Sequence, residues 1–286
     1  MSSLHNASVR HQFASVPLLR RESIGDTYHV LTFDWAGGPQ ARPGQFAMVR
    51  GSNWGHAPLL PRPMSFLSGG TTPSILIRVY GDGTLRMARS EPGDHFDLLG
   101  ALGNGWRAPT VGLTQVLVAG GVGVAPLLFL ARSLIEHGRS PVFLYGGRSH
   151  RDLPLSDDLV DTCEVEFATE DGSRGTRRLV TDLLGPRLGP GVEVYTCGPD
   201  RMMARVASLC EAAGVPCEAS LESPMACGYG VCLGCAVPRR DSTYLYACVD
   251  GPCVDALTID WGADTEPTHS APHASSPNAA GEERPA

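Results

Sequence analysis

The sequence has no run of about 18 uninterrupted apolar residues, the length a membrane-spanning helix needs. Its opening stretch, MSSLHNASVRHQF, has no apolar segment behind its charges, so no secretory leader is expected. Basic residues are scattered, without a basic run, and the formal net charge is -7, which argues against nucleic acid or another polyanion as partner. No internal repeat of solenoid period is found. These absences leave a soluble, cytoplasmic protein as the expectation.

What is there is a chain of 286 residues, 42% hydrophobic and 19% charged, enough to bury one large core or two smaller ones, with two domains favoured. Nine cysteines is an odd number, and four crowd between Cys227 and Cys248. That crowding fits metal or cluster ligation in a reducing compartment better than a disulfide scaffold. The others are expected to be mostly buried, inert thiols.

Residues 1–108 read as short β segments separated by turn formers, among them Tyr28 to Asp34, Phe46 to Arg50 and Ser74 to Tyr80, and predict a small antiparallel barrel. Residues 109–216 change texture. A strand from Gln115 to Ala119 runs through a glycine turn into a helix from Pro126 to His137, stopped by Gly138. Strands at Val142 to Tyr145, Val165 to Thr169 and Val192 to Thr196 follow, with helical stretches near Thr176 to Leu184 and from Arg201 to Ala213, the last capped by Asp200 and ended by Gly214. This predicts an open parallel α/β sheet. Residues 217–262 hold the cysteines with too few apolar residues to form a core alone, and residues 263–286, rich in Pro, Ser and Ala, are expected to be disordered.

The strongest chemical signal is CGYGVCLGC followed by Cys248, with four, two and twelve residues between successive cysteines. The first two gaps match plant-type [2Fe–2S] spacing. Cys227, Cys232, Cys235 and Cys248 are the expected ligands, with Cys253 a competitor for the fourth place. Thiolates suit iron, and the interleaved glycines let the loop wrap closely. A structural zinc site would use the same thiolates, although such sites usually carry two CxxC-like pairs and only one is here.

Three further constellations are weaker alone. Arg62-Pro63-Met64-Ser65, a strand, and then Gly81-Asp82-Gly83-Thr84 could hold a pyrophosphate, or be a surface arginine and an ordinary turn. Gly120 to Pro126 stands between strand and helix, where a nucleotide phosphate meets a helix N-terminus, although Pro126 replaces the third glycine of GxGxxG. Thr196-Cys197-Gly198-Pro199-Asp200 ends a later strand, and Cys197 could equally face a nicotinamide ring or be a buried thiol.

Taken in order, RPMS, GDGT, LGNGW (Leu102 to Trp106), GGVGVAPLLFLA, YGGRS, TEDGSRG, CGP, MACGYGVCLGC and ACVDGP resemble the ferredoxin-reductase flavoprotein superfamily, and within it the electron-transfer subunits of type B dihydroorotate dehydrogenase. The resemblance covers nearly the whole chain except its two ends. It implies FAD held by Arg62, Pro63, Met64 and Ser65, by Leu76, Ile77 and Arg78, and by Gly83 and Thr84. It implies NAD across Gly121, Gly123 and Pro126, approaching Cys197, Gly198 and Pro199. It also implies a separate FMN-containing catalytic subunit that oxidises dihydroorotate, in a heterotetramer of two of each chain serving pyrimidine biosynthesis. Electrons would pass from that FMN through the cluster and FAD to NAD⁺. Ala101, Trp106 and Cys253 depart from the family pattern. Arg148 in YGGRS could accept a 2′-phosphate, so the residues alone leave NADP open. The rival functions are another subunit of this superfamily, such as that of an NADPH:ferredoxin or sulfide oxidoreductase, and a zinc-stabilised binding module without redox activity.

Overall fold

The computed structural model describes residues 12–262. The expectation for residues 263–286 lies outside them. Six strands close an antiparallel barrel in the order β1-β2-β5-β4-β3-β6: β1 (Gln12–Ile24), β2 (Tyr28–Phe33), β3 (Phe46–Gly51), β4 (Arg62–Ser68), β5 (Ser74–Arg78) and β6 (His95–Leu102). Strand β1 makes closure possible. Gln12 to Pro17 pair with β6, the register shifts between Leu18 and Arg20, and Leu18 to Ile24 pair with β2, so one strand bends through a bulge to serve both sides. Inward-facing Leu18, Leu31, Phe33, Phe66 and Phe96 fill the interior, with the Phe33 and Phe96 rings edge to face at 5.4 Å. Helix α1 (Asp82–Arg89) follows β5 and lays Met87 and Ala88 on the same core.

The second layer is a seven-stranded sheet. Its elements in chain order are β7 (Thr114–Gly120), α2 (Val124–Glu136), β8 (Val142–Gly147), α3 (Ser156–Thr162), β9 (Glu164–Thr169), β10 (Thr176–Arg177), α4 (Val180–Leu184), β11 (Val192–Cys197), α5 (Asp200–Ala213) and β12 (Cys217–Ser220). The spatial order is β10-β9-β8-β7-β11-β12-β15, with β15 (Cys253–Asp255) supplied by the cysteine segment and antiparallel to β12. All other pairings are parallel. The run QVLVA is apolar on both faces because helices cover both, which is how strands of a parallel sheet read.

Two local expectations are corrected. Thr176 and Arg177 are strand, not helix: they are exposed and pair with Ala168 and Thr169, and only Val180–Leu184 is helical. The chain is brought there by Gly175, at φ +71, where a Cβ would lie 1.9 Å from the Phe167 carbonyl oxygen. Asp200 does not cap α5. Pro199 occupies the cap position, and Asp200 is the first helical residue, its carboxylate set against the positive end of the helix. Gly214 ends that helix in the left-handed conformation, as expected.

The sheet takes in both Cys217–Ser220 and Cys253–Asp255, so the segment from 217 starts inside it and returns to it at β15. Between these strands the chain makes the cysteine loop and a small hairpin, β13 (Ala236–Pro238) with β14 (Tyr244–Tyr246). Among the described residues, no helix is long and apolar enough to cross a membrane.

Candidate functional site

The sheet order puts β8, β9 and β10 on one side of β7 and β11 and β12 on the other, so the chain reverses direction between β7 and β11. The crevice outside the carboxyl ends of such a pair is where open α/β sheets take ligands. Both glycine motifs sit there. Gly120 to Gly123 turn from β7 into α2, and Gly198 follows β11 with φ +156. They pack backbone on backbone: a Cβ on Gly123 would stand 2.3 Å from the Cys197 carbonyl oxygen, and one on Gly198 would stand 2.9 Å from the Gly120 nitrogen. The Tyr145 hydroxyl donates to the Gly121 carbonyl at 2.9 Å and fixes the turn from β8. Pro126 is buried in the first turn of α2, and Pro199 is exposed at the crevice. Cys197 is buried. Burial pushes its thiol well up, with Glu222 adding to the effect, so it stands as a neutral thiol.

The flavin motifs come together on the barrel. Arg62, Pro63, Met64 and Ser65 are half-buried on β4, and the Arg62 guanidinium lies over Gly83, where a Cβ would be 2.7 Å from Nε. Gly83 thus lets an arginine reach the start of α1. Thr84 Oγ1 accepts from the Tyr80 and Gly81 amides, which holds that turn. On β5 the side chains alternate. Leu76 packs toward α2, Ile77 points into the barrel interior, and Arg78 is exposed with its guanidinium 5.9 Å from the Tyr28 ring centre. Ile77 therefore offers a ligand its backbone only.

The four cysteines stand as two pairs. The Cys232 amide donates to Cys227 Sγ at 3.5 Å, and Cys235 Sγ lies 3.2 Å from Cys248 Sγ. Burial pushes the Cys227 thiol up, but donors from the Cys232, Tyr229 and Val231 amides outweigh it and bring it down to about 6. Burial, then the neighbouring Cys235, push Cys248 up to about 12. Among the described residues, no three His, Cys, Asp or Glu side chains converge on one point as a mononuclear metal site. Two thiol pairs under a loop with amides aimed at sulfur fit a dinuclear cluster better than a single tetrahedral zinc. Cys253 lies elsewhere, on β15, buried with its thiol toward the Gly44 carbonyl at 3.6 Å.

The LGNGW loop ties the cysteine segment to the first turn of α2. The Asn104 side chain donates to the Asp250 carbonyl at 2.6 Å, and its amide donates to the Gly251 carbonyl at 2.7 Å. Trp106 Nε1 donates to the Pro126 carbonyl at 3.3 Å, and its ring meets Tyr195 edge-on at 5.6 Å. The sequence reading missed the floor beneath the cysteines: Phe46, Met48 and Leu102, in contact with Cys235, Ala247 and Cys248. The signal was in FAMV, where four consecutive apolar residues mean a strand covered on both faces. A cavity of about 420 Å³ between Asn104, Arg107, Glu218, Arg239 and Tyr244 is lined by Cys253 but by none of Cys227, Cys232, Cys235 and Cys248.

An antiparallel barrel followed by an α/β sheet with its glycine turns at the reversal point defines a ferredoxin-reductase-like oxidoreductase. Solved structures share the architecture. An NADH-dependent reduced ferredoxin-NADP oxidoreductase matches with a TM-score of 0.75 at 25% identity, over 87% of this chain and 90% of that one. A ferredoxin NADP+ reductase from Neisseria gonorrhoeae with bound FAD and NADP matches with a TM-score of 0.61 at 18% identity, over 71% of this chain and 92% of that one. The profile for the iron-sulfur cluster binding domain of dihydroorotate dehydrogenase B matches residues 222–260. Proteins named dihydroorotate dehydrogenase B (NAD(+)), electron transfer subunit, are 34% identical in Desulforamulus reducens, over 77% of this chain and 87% of the relative, and 37% identical in Listeria monocytogenes, over 73% and 84%. The chain belongs to this family of electron transfer subunits.

Proposed function

We propose that this chain carries electrons between a catalytic partner subunit with FMN and NAD⁺, with FAD and a [2Fe–2S] cluster as its own cofactors, in a cytoplasmic heterotetramer that makes orotate for pyrimidine synthesis. The cofactors supply the redox chemistry, one-electron steps at the cluster and hydride exchange at the flavin. The chain supplies position and charge. Arg62 meets the FAD pyrophosphate beside the start of α1. Pro63 to Ser65 and the backbone of Leu76 to Arg78 line the flavin, with Gly83 and Thr84 at its phosphate end. The Gly121 to Gly123 turn and the start of α2 receive the NAD pyrophosphate, with Cys197, Gly198 and Pro199 toward the nicotinamide. Cys227, Cys232, Cys235 and Cys248 would hold the [2Fe–2S] cluster through their thiolates.

One observation carries this reading: the asymmetry of the cysteine loop. Cys235 and Cys248 are buried against the flavin-binding barrel, whereas Cys232 is exposed among exposed Tyr229, Val231 and Leu233. An apolar rim around an exposed thiolate suits a protein partner rather than water. The test is co-purification with the catalytic subunit, followed by dihydroorotate-dependent NAD⁺ reduction. A complex that reduces NAD⁺ is expected, and an iron- and FAD-replete complex without that activity overturns the partner assignment. The likeness to a reduced ferredoxin-NADP oxidoreductase supports a second reading, a subunit taking electrons from ferredoxin, which would instead reduce nucleotide with reduced ferredoxin alone.

NAD rather than NADP is supported by Asp152, whose carboxylate stands 3.7 Å from Arg148 and also accepts from the Ser149 amide and hydroxyl. A 2′-phosphate here would meet that negative charge. Asp152→Asn keeps an acceptor for Ser149 and removes the charge, so kcat/KM for NADPH should rise by roughly fivefold, about 1 kcal/mol, with NADH little changed. An unchanged NADPH-to-NADH ratio would place the discrimination elsewhere.

A further inference from the structure

The strand next to the RPMS strand is also the floor of the cysteine loop. On β3, Ala47 and Val49 point into the barrel core, and Phe46 and Met48 point the other way, into contact with Cys235, Ala247 and Cys248. In register, Met48 lies opposite Pro63 and Phe46 opposite Ser65, both on the proposed flavin strand β4. Directly opposed residues share a face of the sheet, so the outer face of β3 that seats the thiols continues, one strand over, into the outer face of β4 that carries Pro63 and Ser65. Met48 is 1% exposed, and the cysteine loop rests directly on it: a Cβ on Gly228 would lie 2.4 Å from Met48 Cγ and 2.8 Å from Sδ. Gly228 sits at φ +81, so the chain gives up a side chain next to Cys227 and gains close approach to this methionine.

From this geometry we infer that Met48 is a positioning residue for flavin-to-cluster electron transfer, the seat that sets the gap between the two cofactors. The inference rests on the cofactor assignment above and names the residue that makes it work. Electron tunnelling falls off steeply with the gap it crosses, so the side chain that fixes how deeply the loop sits fixes the rate. A thioether suits the place because it fills an irregular gap and is polarisable. The apolar floor of Phe46, Met48 and Leu102 also keeps water from the inner thiolates, which tunes the cluster's potential. Hydride transfer from NADH supplies two electrons and one proton to the flavin, and the cluster takes one electron at a time, so cluster reduction can be followed separately from flavin reduction.

The test uses the full chain, purified anaerobically with FAD and iron quantified. Met48→Ala opens the seat from below, Gly228→Ala lifts the loop from above, and Met48→Leu conserves volume. In Met48→Ala and Gly228→Ala, cluster reduction by NADH in stopped flow is expected to slow by about tenfold or more. The midpoint potential and the electron paramagnetic resonance spectrum of the reduced cluster should shift with it, and Met48→Leu should restore all three. A Met48→Ala chain that loses its iron while Met48→Leu keeps it also supports the seat. Iron-replete Met48→Ala and Gly228→Ala chains with wild-type rate, potential and spectrum overturn it. A wild-type chain lacking FAD or iron would instead sink the cofactor assignment, so the two failures are distinguishable.

Discussion

Replacing Cys232 with serine is expected to abolish dihydroorotate-dependent NAD⁺ reduction by the complex while leaving NADH-to-dye reduction at the flavin close to wild type. Cys232 is the exposed member of the four thiols, whereas Cys235 and Cys248 are buried. Serine is a harder, far less acidic ligand than a thiolate, so the iron on that side is lost or its potential displaced. Loss of a ligand should exceed the roughly 10- to 100-fold cost typical of disturbing residues around one. Cys232 hydrogen-bonds to Cys227 within the cysteine loop, outside the motifs expected to hold flavin and nucleotide, which is why the dye reaction is the control. A folded, FAD-loaded variant that had also lost dye reduction would show that the cluster does not stand between the partner and the flavin in the relay.

Gly123→Ala should be nearly as damaging, on the other side of the flavin. Gly123 has an ordinary helical φ of -61, so an alanine meets no backbone strain there. What it meets is space already filled, the carbonyl oxygen and carbon of Cys197 at 2.3 and 2.5 Å and the Gly198 nitrogen at 2.8 Å. All three are backbone atoms of the neighbouring strand end and cannot swing aside. Overpacking of this kind costs about 3 kcal/mol, and prying apart the two turns proposed to receive the nucleotide should lower kcat/KM for NADH by about a hundredfold. Gly121→Ala is the comparison. It has open space around its Cβ but a φ of +54, so it should cost only the left-handed penalty of about 1 kcal/mol. Thermal melts and NADH kinetics of both variants check the ranking, and equal effects would mean that packing at the switch point does not govern nucleotide binding.

Much of this was legible in the chain because the chemistry is local. The glycine turns and RPMS each lie within a dozen residues, the four cysteines lie between positions 227 and 248, and the β-α alternation carries its own punctuation at Gly138 and Gly214. What was not legible depends on distance along the chain. The bend of β1 follows from pairing with two strands at once, and its mixed exposure hides any simple alternation. Thr176 and Arg177 became strand because Gly175 delivers them to the edge of β9, a tertiary effect that overrides local preference. The contact between Met48 and Gly228 joins positions 180 residues apart, and only the folded barrel shows that β3 has a second occupied face. Cys253 could compete for the fourth ligand place on spacing alone; its place on β15 separates it from the other four.

The return of the cysteine segment to the sheet has a bearing on how the chain behaves before its cofactors are in place. Strand β15 meets β12 through only three residue pairs, Glu218 with Asp255, Ala219 with Val254 and Ser220 with Cys253. It is the last strand on that side, so it covers hydrogen-bonding groups that would otherwise form an open border. Three pairs are little to hold a border closed, and the cysteine loop just upstream of β15 is where the cluster would anchor it. A cluster held on Cys235 and Cys248, just upstream of β15, would brace that border of the sheet as well as carry electrons.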